Sequence, residues 1–356
     1  MNDVATTSLG RRRMVSTVVL VAVAAMFLTT LVTATGTQRL GWDFHAGYLD
    51  AAESIRSNGT PYSADNEQPY VYPPVLAELL VPVTWLPDDV SSFLAFVASF
   101  AAVMGALALV GVRDVRCYAA VVIWAPGWNA FEMANVTAVL TLLAALVWRY
   151  RDATWPPAAA LGAALSLKLF LWPLLIWTAA THRARTAVVA TGIGLAAVLA
   201  SWAAIGFAGF TSFPDQLHEI DFDSSYSLVG MAAALGFDPV VGRVAMVVIG
   251  GALLIACGYL GRQGDDARAF TCAIVATLAL TPVVWLHYLT LLAVPLAILR
   301  PRFSGVWLLP ILLWVCPRGW NGDGVQPYVP ALLVALLFVI LVARPQDERR
   351  LSASPA

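Results

Sequence analysis

The chain has 356 residues, of which 60% are hydrophobic and 12% are charged, and its formal net charge is −1. This charged fraction is roughly half that of a soluble domain, and the mean hydropathy is +0.76, so the composition indicates an integral membrane protein. The sequence has no basic stripe and no Walker, GxGxxG, GxSxG or HExxH motif, which argues against nucleic-acid binding, nucleotide chemistry and hydrolase triads.

The apolar runs predict an all-α polytopic membrane bundle of about twelve transmembrane helices. The first run follows Arg11, Arg12 and Arg13 without a clear cleavage site, which is typical of a signal-anchor helix after a cytoplasmic tail at 1–13. The predicted crossings are 14–34, 91–111, 116–128, 134–149, 155–168, 169–181, 187–208, 240–260, 270–282, 286–299, 304–317 and 328–344. No repeat or linker is visible in the sequence, so a single domain over 1–356 is expected.

Arginine placement predicts the orientation of this bundle. Sixteen arginines fall in segments assigned to the cytoplasm, including the tail at 345–356, and the opposite face carries Arg39, Arg56 and Arg318. To keep this asymmetry, the apolar piece 74–86 must remain on the outer side as a short re-entrant or interfacial helix, and it is too short to cross comfortably.

The first outer loop contains a predicted amphipathic helix along the membrane interface. Phe44, Tyr48 and Ile55 recur at helical spacing, and Asn58 with Gly59 forms a stop signal. Asp43 lies at the start of this helix. Its carboxylate is therefore either an N-cap that accepts backbone N–H bonds or a functional acid.

Two charged or titratable residues stand out within apolar tracts. Lys168 lies where two short apolar pieces meet, and it either snorkels to an interface or balances the charge of a lipid phosphate. His287 follows the helix-breaking Pro282. It is either a hydrogen-bonded core residue or a functional residue that donates a hydrogen bond to a phosphate or carries a proton. Asn135 opens another apolar run, so it either caps the helix that follows or belongs to the site. Glu132 and Tyr226 are weaker candidates for site residues at the outer face.

Together these residues favour glycosyl transfer from a lipid-phosphate sugar at the outer face. A sugar hydroxyl that attacks needs a general base, and a departing phosphate needs charge stabilisation. The outer loop has no paired-acid motif, so neither a metal nor a cofactor is expected, and the lipid-linked sugar is a co-substrate. The four cysteines have no metal-ligand spacing and are predicted to be small core residues.

Several motifs resemble those of the GT-C superfamily of polyprenol-phosphate-dependent glycosyltransferases, and most closely the actinobacterial glycosyltransferase family eighty-seven. The matching segments are DFHAGY at 43–48, GTPY at 59–62, YPP at 72–74, SLKLFLWP at 166–173 and TPVVWLHY at 281–288. Two positions depart from the family pattern: Tyr288 replaces a second histidine, and ANVT at 134–137 replaces Gly-Gln-x-Asn.

The resemblance implies an inverting α-mannosyltransferase of the plasma membrane with a glycolipid or glycan acceptor. Asp43 would be the general base, and Lys168 and His287 would contact the donor phosphate. The implied sugar and acceptor pocket contains Tyr48, Tyr62, Tyr72, Asn135, Tyr226 and Trp285. An arabinofuranosyltransferase that uses decaprenyl-phosphate arabinose has the same pattern, and a lipid or solute transporter is the alternative from another class, although transporters often show internal repeats.

Overall fold

The computed structural model describes residues 14–23, 25–27, 29–30, 33, 40–63, 66–218, 225–315 and 328–343. Regular structure within these ranges is helical, which confirms the all-α prediction. The helices are Asp43–Leu49, Asp50–Asn58, Val75–Leu80, Val81–Trp85, Asp88–Leu109, Val115–Ile123, Ala125–Glu132, Thr137–Arg149, Trp155–Leu167, Leu169–Leu171, Pro173–Ala180, Ala184–Ala204, Phe213–His218, Leu228–Ala234, Pro239–Arg262, Asp266–Ala279, Leu286–Leu292, Ala293–Leu299, Gly305–Val315 and Tyr328–Ala343. The predicted tails at 1–13 and 345–356 lie outside the described residues.

Three of the described helices are long and apolar enough to cross a membrane. They are Asp88–Leu109, Ala184–Ala204 and Pro239–Arg262, and they correspond to predicted crossings. A fourth would be added if Ala125–Glu132 and Thr137–Arg149 formed one broken span. The protein is therefore a membrane protein by composition and helix length, but the predicted number of twelve crossings is not confirmed, because the other apolar helices are shorter.

The predicted crossing 116–128 is wrong as a continuous helix. Helix Val115–Ile123 ends at an extended Trp124, and Pro126 lies in the first turn of the next helix, where its missing N–H costs nothing. That helix meets Thr137–Arg149 at a bend of 116°. Ala134 lies in this bend with a φ of 48°, which is uncommon for a residue with a Cβ atom. The bend brings Asn135 out of the regular helix.

The predicted junction at Lys168 is confirmed. Helix Trp155–Leu167 ends at Lys168, whose backbone is extended with φ −159° and ψ 122°. A short 3₁₀ turn follows at Leu169–Leu171, and Pro173 then starts the next helix. The break leaves the Lys168 side chain between two apolar helices rather than on the side of one.

The segment that the sequence assigns to the outer face, residues 43–59, is called the outer segment. It forms the predicted helix, although its first part, Asp43–Leu49, has the wide π-type turn. Phe44 and Tyr48 are on its buried face, and a left-handed Gly59 with φ 75° ends it as the Asn-Gly signal predicted. The piece 74–86 is a short helix over Val75–Leu80 and Val81–Trp85, in agreement with the sequence.

Three buried clusters hold the helices together. The largest surrounds Trp177 and Phe270, and the second surrounds Trp124 and Trp307. The third joins the outer segment to the bundle through Phe44, Tyr48, Tyr62, Tyr70 and Trp202, so the outer segment is a packed part of the fold. Cys117, Cys257 and Cys272 are buried, as predicted, and Cys316 lies outside the described residues.

Candidate active site

Two backbone hydrogen bonds hold the chain on either side of Asp43. Gly41 N donates to Glu132 O at 2.7 Å, and Phe44 N donates to Met133 O at 3.3 Å. Gly41 has a φ of 75°, a conformation that favours glycine. Since these carbonyls lie at the C-terminal end of helix Ala125–Glu132, the outer segment satisfies groups that the helix leaves unpaired. Asp43 is thus fixed against the bend that carries Asn135.

The Asp43 side chain is bonded to an amide and not to the start of its own helix. Asn135 Nδ2 donates to Asp43 Oδ2 at 2.7 Å and to the Tyr48 hydroxyl at 2.9 Å. No capping bond from a side chain is present at this helix start, so the N-cap alternative for Asp43 is wrong. The capping alternative for Asn135 is partly right, because its Oδ1 accepts from the backbone N–H of Thr137 at 2.9 Å.

Burial raises the pKa of Asp43 to about 6, while the hydrogen bond from Asn135 and the nearby charge of Lys168 act in the opposite direction. The side chain is 20% exposed, so the group is not sealed off from solvent. An acid with a pKa near 6 is largely ionised at neutral pH and is more basic than an ordinary aspartate. Asp43 therefore has the properties of a general base.

His287 faces this carboxylate across the site. Its Nε2 lies 3.8 Å from Asp43 Oδ2, and its Nδ1 is 3.1 Å from Asn129 Oδ1. With the amide oriented this way, Nδ1–H donates to Asn129 and Nε2 points towards Asp43. The ring is buried, and Nε2 has no hydrogen-bond partner among the described residues. The histidine is hydrogen-bonded, as the core alternative expected, and its second nitrogen faces the Asp43 carboxylate.

The Lys168 ammonium lies inside the protein. It donates to the Tyr288 hydroxyl and lies over the rings of Tyr72 and Phe170, with 5.1 Å and 5.2 Å to their centroids. Among the described residues, no carboxylate comes within 4 Å of it. The snorkelling alternative does not fit these contacts, and a bound anionic group would favour the charged form of this amine.

The predicted pocket residues fall into two groups. Tyr48 and Tyr72 join Asp43 and Lys168 at the site, with their ring centroids 5.6 Å apart. Tyr62 lies behind them: it stacks on Trp202, and its hydroxyl donates to the backbone carbonyl of Tyr72 at 2.7 Å.

Trp285 and Tyr226 pack against the largest core cluster. The backbone N–H of Tyr226 donates to Val284 O at 2.7 Å, which ties the segment after 224 to the TPVVWLHY motif. Trp285 and Tyr226 therefore help to hold the TPVVWLHY motif in place.

Two further residues of the site had no assigned role in the sequence. Asn129 contacts His287, and Tyr288 accepts the Lys168 hydrogen bond. Asn129 is a polar residue in the apolar segment APGWNAF, which was a usable signal. Tyr288 stands where the family pattern has a second histidine, so the departure from the pattern marked a residue in direct contact with the site.

The arrangement provides a carboxylate that can accept a proton and an ammonium that can bind an anion, with tyrosines between them. Within the ranges that the structure describes, no three His, Cys, Asp or Glu side chains lie close enough to hold a metal ion. The chemistry available to these side chains is proton transfer together with charge stabilisation.

A family model described as Glycosyltransferase family 87 matches residues 70–285, which is more than half of the chain. The match contains Tyr72, Asn135 and Lys168. His287 lies just after the end of the match, whereas Asp43 lies well before its start at residue 70. No solved structure matches the chain.

Curated relatives come from mycobacteria. A polyprenol-phosphate-mannose-dependent alpha-(1-2)-phosphatidylinositol pentamannoside mannosyltransferase of Mycolicibacterium smegmatis is 24% identical over 300 residues, covering 77% of this chain and 68% of the relative. A polyprenol-phosphate-mannose-dependent alpha-(1-2)-phosphatidylinositol mannoside mannosyltransferase of Mycobacterium tuberculosis is 24% identical over 288 residues, covering 71% and 63%. The chain thus spans about two thirds of the length of these relatives.

Proposed function

Since the chain belongs to glycosyltransferase family 87, we propose that it transfers a mannosyl residue from a polyprenyl-phosphate mannose to a cell-envelope glycolipid or glycan. Membership agrees with the resemblance found in the motifs. The sugar and the donor are proposed from the names of the relatives, which are mannosyltransferases that depend on polyprenol-phosphate mannose. The same names support a phosphatidylinositol mannoside as the acceptor class.

The proposed reaction is an inverting displacement. An acceptor hydroxyl oxygen attacks the anomeric carbon of the donor, the bond from that carbon to the phosphate oxygen breaks, and its electron pair leaves with the lipid phosphate. Asp43 takes the hydroxyl proton as the new glycosidic bond forms. A β-linked donor then gives an α-mannoside, the anomeric configuration that the names of the relatives specify.

The observation that carries this proposal is the environment of Asp43. The carboxylate is positioned by Asn135, has no arginine or lysine nitrogen within 4 Å among the described residues, and has a pKa of about 6. A carboxylate paired with arginine would be a poor base because its pKa would be low. A partly exposed carboxylate with a raised pKa supports the proposal that Asp43 deprotonates a sugar hydroxyl.

Lys168 is the proposed contact for the donor phosphate. Its ammonium adjoins the site through Tyr72 and Tyr288 and has no carboxylate partner in the described part of the chain. For His287, the 3.8 Å separation from Asp43 supports contact with the base and the acceptor hydroxyl better than contact with the phosphate alone. We therefore propose that His287 keeps Nε2, an acceptor nitrogen, next to the reacting hydroxyl.

The proposed location is the plasma membrane, with the site at the outer face of a GT-C type bundle. The arginine distribution supports this orientation, because the site residues lie in or next to segments assigned to the outer side. Lipid-linked donors and acceptors would then meet at the membrane interface, where the outer segment packs on the bundle.

Membranes that contain this protein should test the donor directly. They would be incubated with labelled polyprenyl-phosphate mannose or labelled decaprenyl-phosphate arabinofuranose, together with phosphatidylinositol mannosides, and the lipids would then be separated. Membranes with the same amount of the Asp43→Asn variant are the control. We expect mannose to enter the glycolipid fraction with the wild type. Transfer of arabinose in place of mannose, or equal transfer by the variant, would contradict the proposal.

A further inference from the structure

Three tyrosines lie between the Asn135 amide and the Lys168 ammonium. Asn135 Nδ2 donates to the Tyr48 hydroxyl at 2.9 Å, and Lys168 donates to the Tyr288 hydroxyl. The Tyr72 ring lies between these two pairs: its centroid is 5.6 Å from the Tyr48 centroid and 5.1 Å from Lys168 Nζ. Because Asn135 also holds the proposed base, the tyrosines connect the base to the proposed phosphate contact.

The groups at the two ends of this array can only donate hydrogen bonds to it. Asn135 Nδ2 also donates to the Asp43 carboxylate, which only accepts, so the orientation of the amide is fixed. An ammonium has no acceptor atom. The oxygens of Tyr48 and Tyr288 therefore accept from the ends of the array. Since both side chains are buried, the hydrogen of each phenol needs an acceptor inside the protein.

The Tyr72 hydroxyl is that acceptor. Burial raises the pKa of Tyr72 to about 12, whereas hydrogen bonds with Tyr48 and Tyr288 act in the opposite direction. A hydrogen bond that lowers the pKa of a phenol is one that the phenol oxygen accepts. The hydrogen of Tyr72 itself is then left over, and no acceptor for it is present among the residues that the structure describes. Tyr72 is also partly exposed, so the unused donor belongs to the member of the array that is not sealed off from solvent.

An anionic oxygen next to Lys168 is the ligand that fits this hydrogen. Lys168 Nζ lies over the Tyr72 ring, so one anion can contact both groups. An O–H group makes a stronger hydrogen bond to a charged oxygen than to a neutral one. We propose that Tyr72 donates a hydrogen bond to the departing phosphate and, together with Lys168, stabilises the charge that develops when the donor is cleaved. This inference rests on the proposed glycosyl transfer.

The Tyr72 phenol keeps its proton in this step. The bond between the anomeric carbon and the phosphate oxygen breaks, and its electron pair leaves with the phosphate. A diester with one negative charge thereby becomes a monoester, which loses its second proton near a pH of about 6 and is mainly a dianion at neutral pH. A donor next to this oxygen therefore stabilises the transition state and the product more than the bound substrate, and this raises kcat.

Two short lipid phosphates test the contact without any transfer. Farnesyl phosphate is a monoester and mainly a dianion at about pH 8, whereas methyl farnesyl phosphate is a diester with one charge, like the donor and the phosphate of the acceptor lipid. The purified full chain should bind the monoester more tightly in thermophoresis. We expect Tyr72→Phe to weaken monoester binding by about tenfold or more and diester binding by less, so the preference for the monoester should shrink.

Tyr70→Phe is the matched control. Tyr70 lies two residues away, and its hydroxyl donates to Pro73 O at 3.0 Å and accepts from Ala77 N at 3.1 Å, so the fold already uses it. The control should unfold at a lower temperature and keep the wild-type preference for the monoester. An unchanged preference in a folded Tyr72→Phe variant would overturn the phosphate contact, and so would an equal loss of the preference in Tyr70→Phe.

Turnover separates this inference from the proposed function. With labelled polyprenyl-phosphate mannose, Tyr72→Phe should lower kcat by about tenfold or more and change the donor KM less. A larger effect on the donor KM than on kcat would contradict stabilisation of the departing phosphate. If the wild type transferred no mannose, the proposed function would fail, whereas a monoester preference that Tyr72→Phe loses would still support the phosphate contact.

Discussion

Two aspartates in this protein have opposite surroundings. Asp114 caps helix Val115–Ile123, and its carboxylate accepts from the Arg116 guanidinium at 2.9 Å and 2.8 Å and from Phe303 N at 3.1 Å. The hydrogen bonds from Arg116 lower the pKa of Asp114 to about 2. Asp43 has an amide donor and a histidine at 3.8 Å, and burial raises its pKa to about 6.

The difference separates a structural carboxylate from one that is available for chemistry. Arg116 and the backbone use the oxygens of Asp114, so its charge stabilises the fold and is not free to accept a proton. Asp43 is partly buried beside Asn135, with no arginine or lysine nitrogen within 4 Å among the described residues. This arrangement costs stability, and such a cost is retained where a basic carboxylate is needed.

The largest expected effect follows from Asp43→Asn. Asparagine keeps an oxygen that can accept from Asn135, but it cannot take a proton from an acceptor hydroxyl. We expect turnover with polyprenyl-phosphate mannose to fall by about 10²–10⁴-fold, the usual contribution of a general base, while donor binding persists. Initial rates of transfer of labelled mannose measure this effect.

Asp50→Asn is the matched control. Asp50 lies seven residues further along the same outer segment, and its carboxylate accepts from Glu67 N at 3.4 Å. The substitution should change the rate little. If a folded Asp43→Asn variant kept most of its activity, the assignment of the base would be wrong.

The two aspartates should also have opposite effects on stability. The pKa of Asp114 is lower in the folded state than its usual 3.8, so its contribution of about 1–2 kcal/mol is present above about pH 4 and is lost as the pH falls through 2. The pKa of Asp43 is higher in the folded state. Its ionisation therefore destabilises the fold as the pH rises from about 4 to 6, by at most about 3 kcal/mol.

Thermal unfolding in detergent at several pH values checks these signs. At pH 7, Asp114→Asn should unfold at a lower temperature than the wild type, and Asp43→Asn at the same or a higher temperature. The advantage of Asp43→Asn should disappear near pH 4, where the wild-type carboxyl is protonated. A clear loss of stability in Asp43→Asn at pH 7 would indicate that Asp43 is structural, like Asp114.

Lys168→Ala tests the proposed contact between this lysine and the donor phosphate. Loss of a charge-assisted contact with the donor phosphate, worth about 1.5–3 kcal/mol, should raise the donor KM by about 10- to 150-fold. Tyr288→Phe removes the hydroxyl that Lys168 donates to but keeps the ammonium, so the donor KM should change less. An unchanged donor KM in Lys168→Ala would show that the lysine has a structural role.

Breaks in the apolar pattern made most of the site predictable. Asp43, Lys168 and His287 stood out because charged or titratable groups are costly in apolar surroundings, and the structure gathers all three around one site. The residues that these side chains contact were not predictable from the sequence. The contact of Asn135 with Asp43 joins residues 92 positions apart, and it depends on the bend at Ala134, which has no signature in the local sequence.

Helix boundaries were harder to predict for a related reason. An apolar run shows that a segment is buried, but it does not show where the backbone bends. Trp124 interrupts the predicted crossing 116–128 because the following Pro126 suits the first turn of a new helix. Tyr62 presents the same limit for side chains: its motif suggested the sugar pocket, whereas packing against Trp202 places it behind Tyr72.

The smallest expected effect distinguishes a residue that supports the site from behind, Tyr62, from a residue of the site itself, Tyr48. Tyr62→Phe removes a neutral hydrogen bond to the Tyr72 carbonyl but keeps the stacking on Trp202, so the free energy of unfolding should fall by about 1 kcal/mol and kcat should stay close to wild type. Tyr48→Phe, in contrast, removes a hydroxyl that Asn135 contacts directly, and it should lower kcat more than it lowers stability. Thermal unfolding together with transfer rates separates the two outcomes. A residue that only supports Tyr72 has no contact with the reacting groups. A larger loss of kcat in Tyr62→Phe than in Tyr48→Phe would therefore indicate that Tyr62 belongs to the sugar pocket and that the site extends further outward.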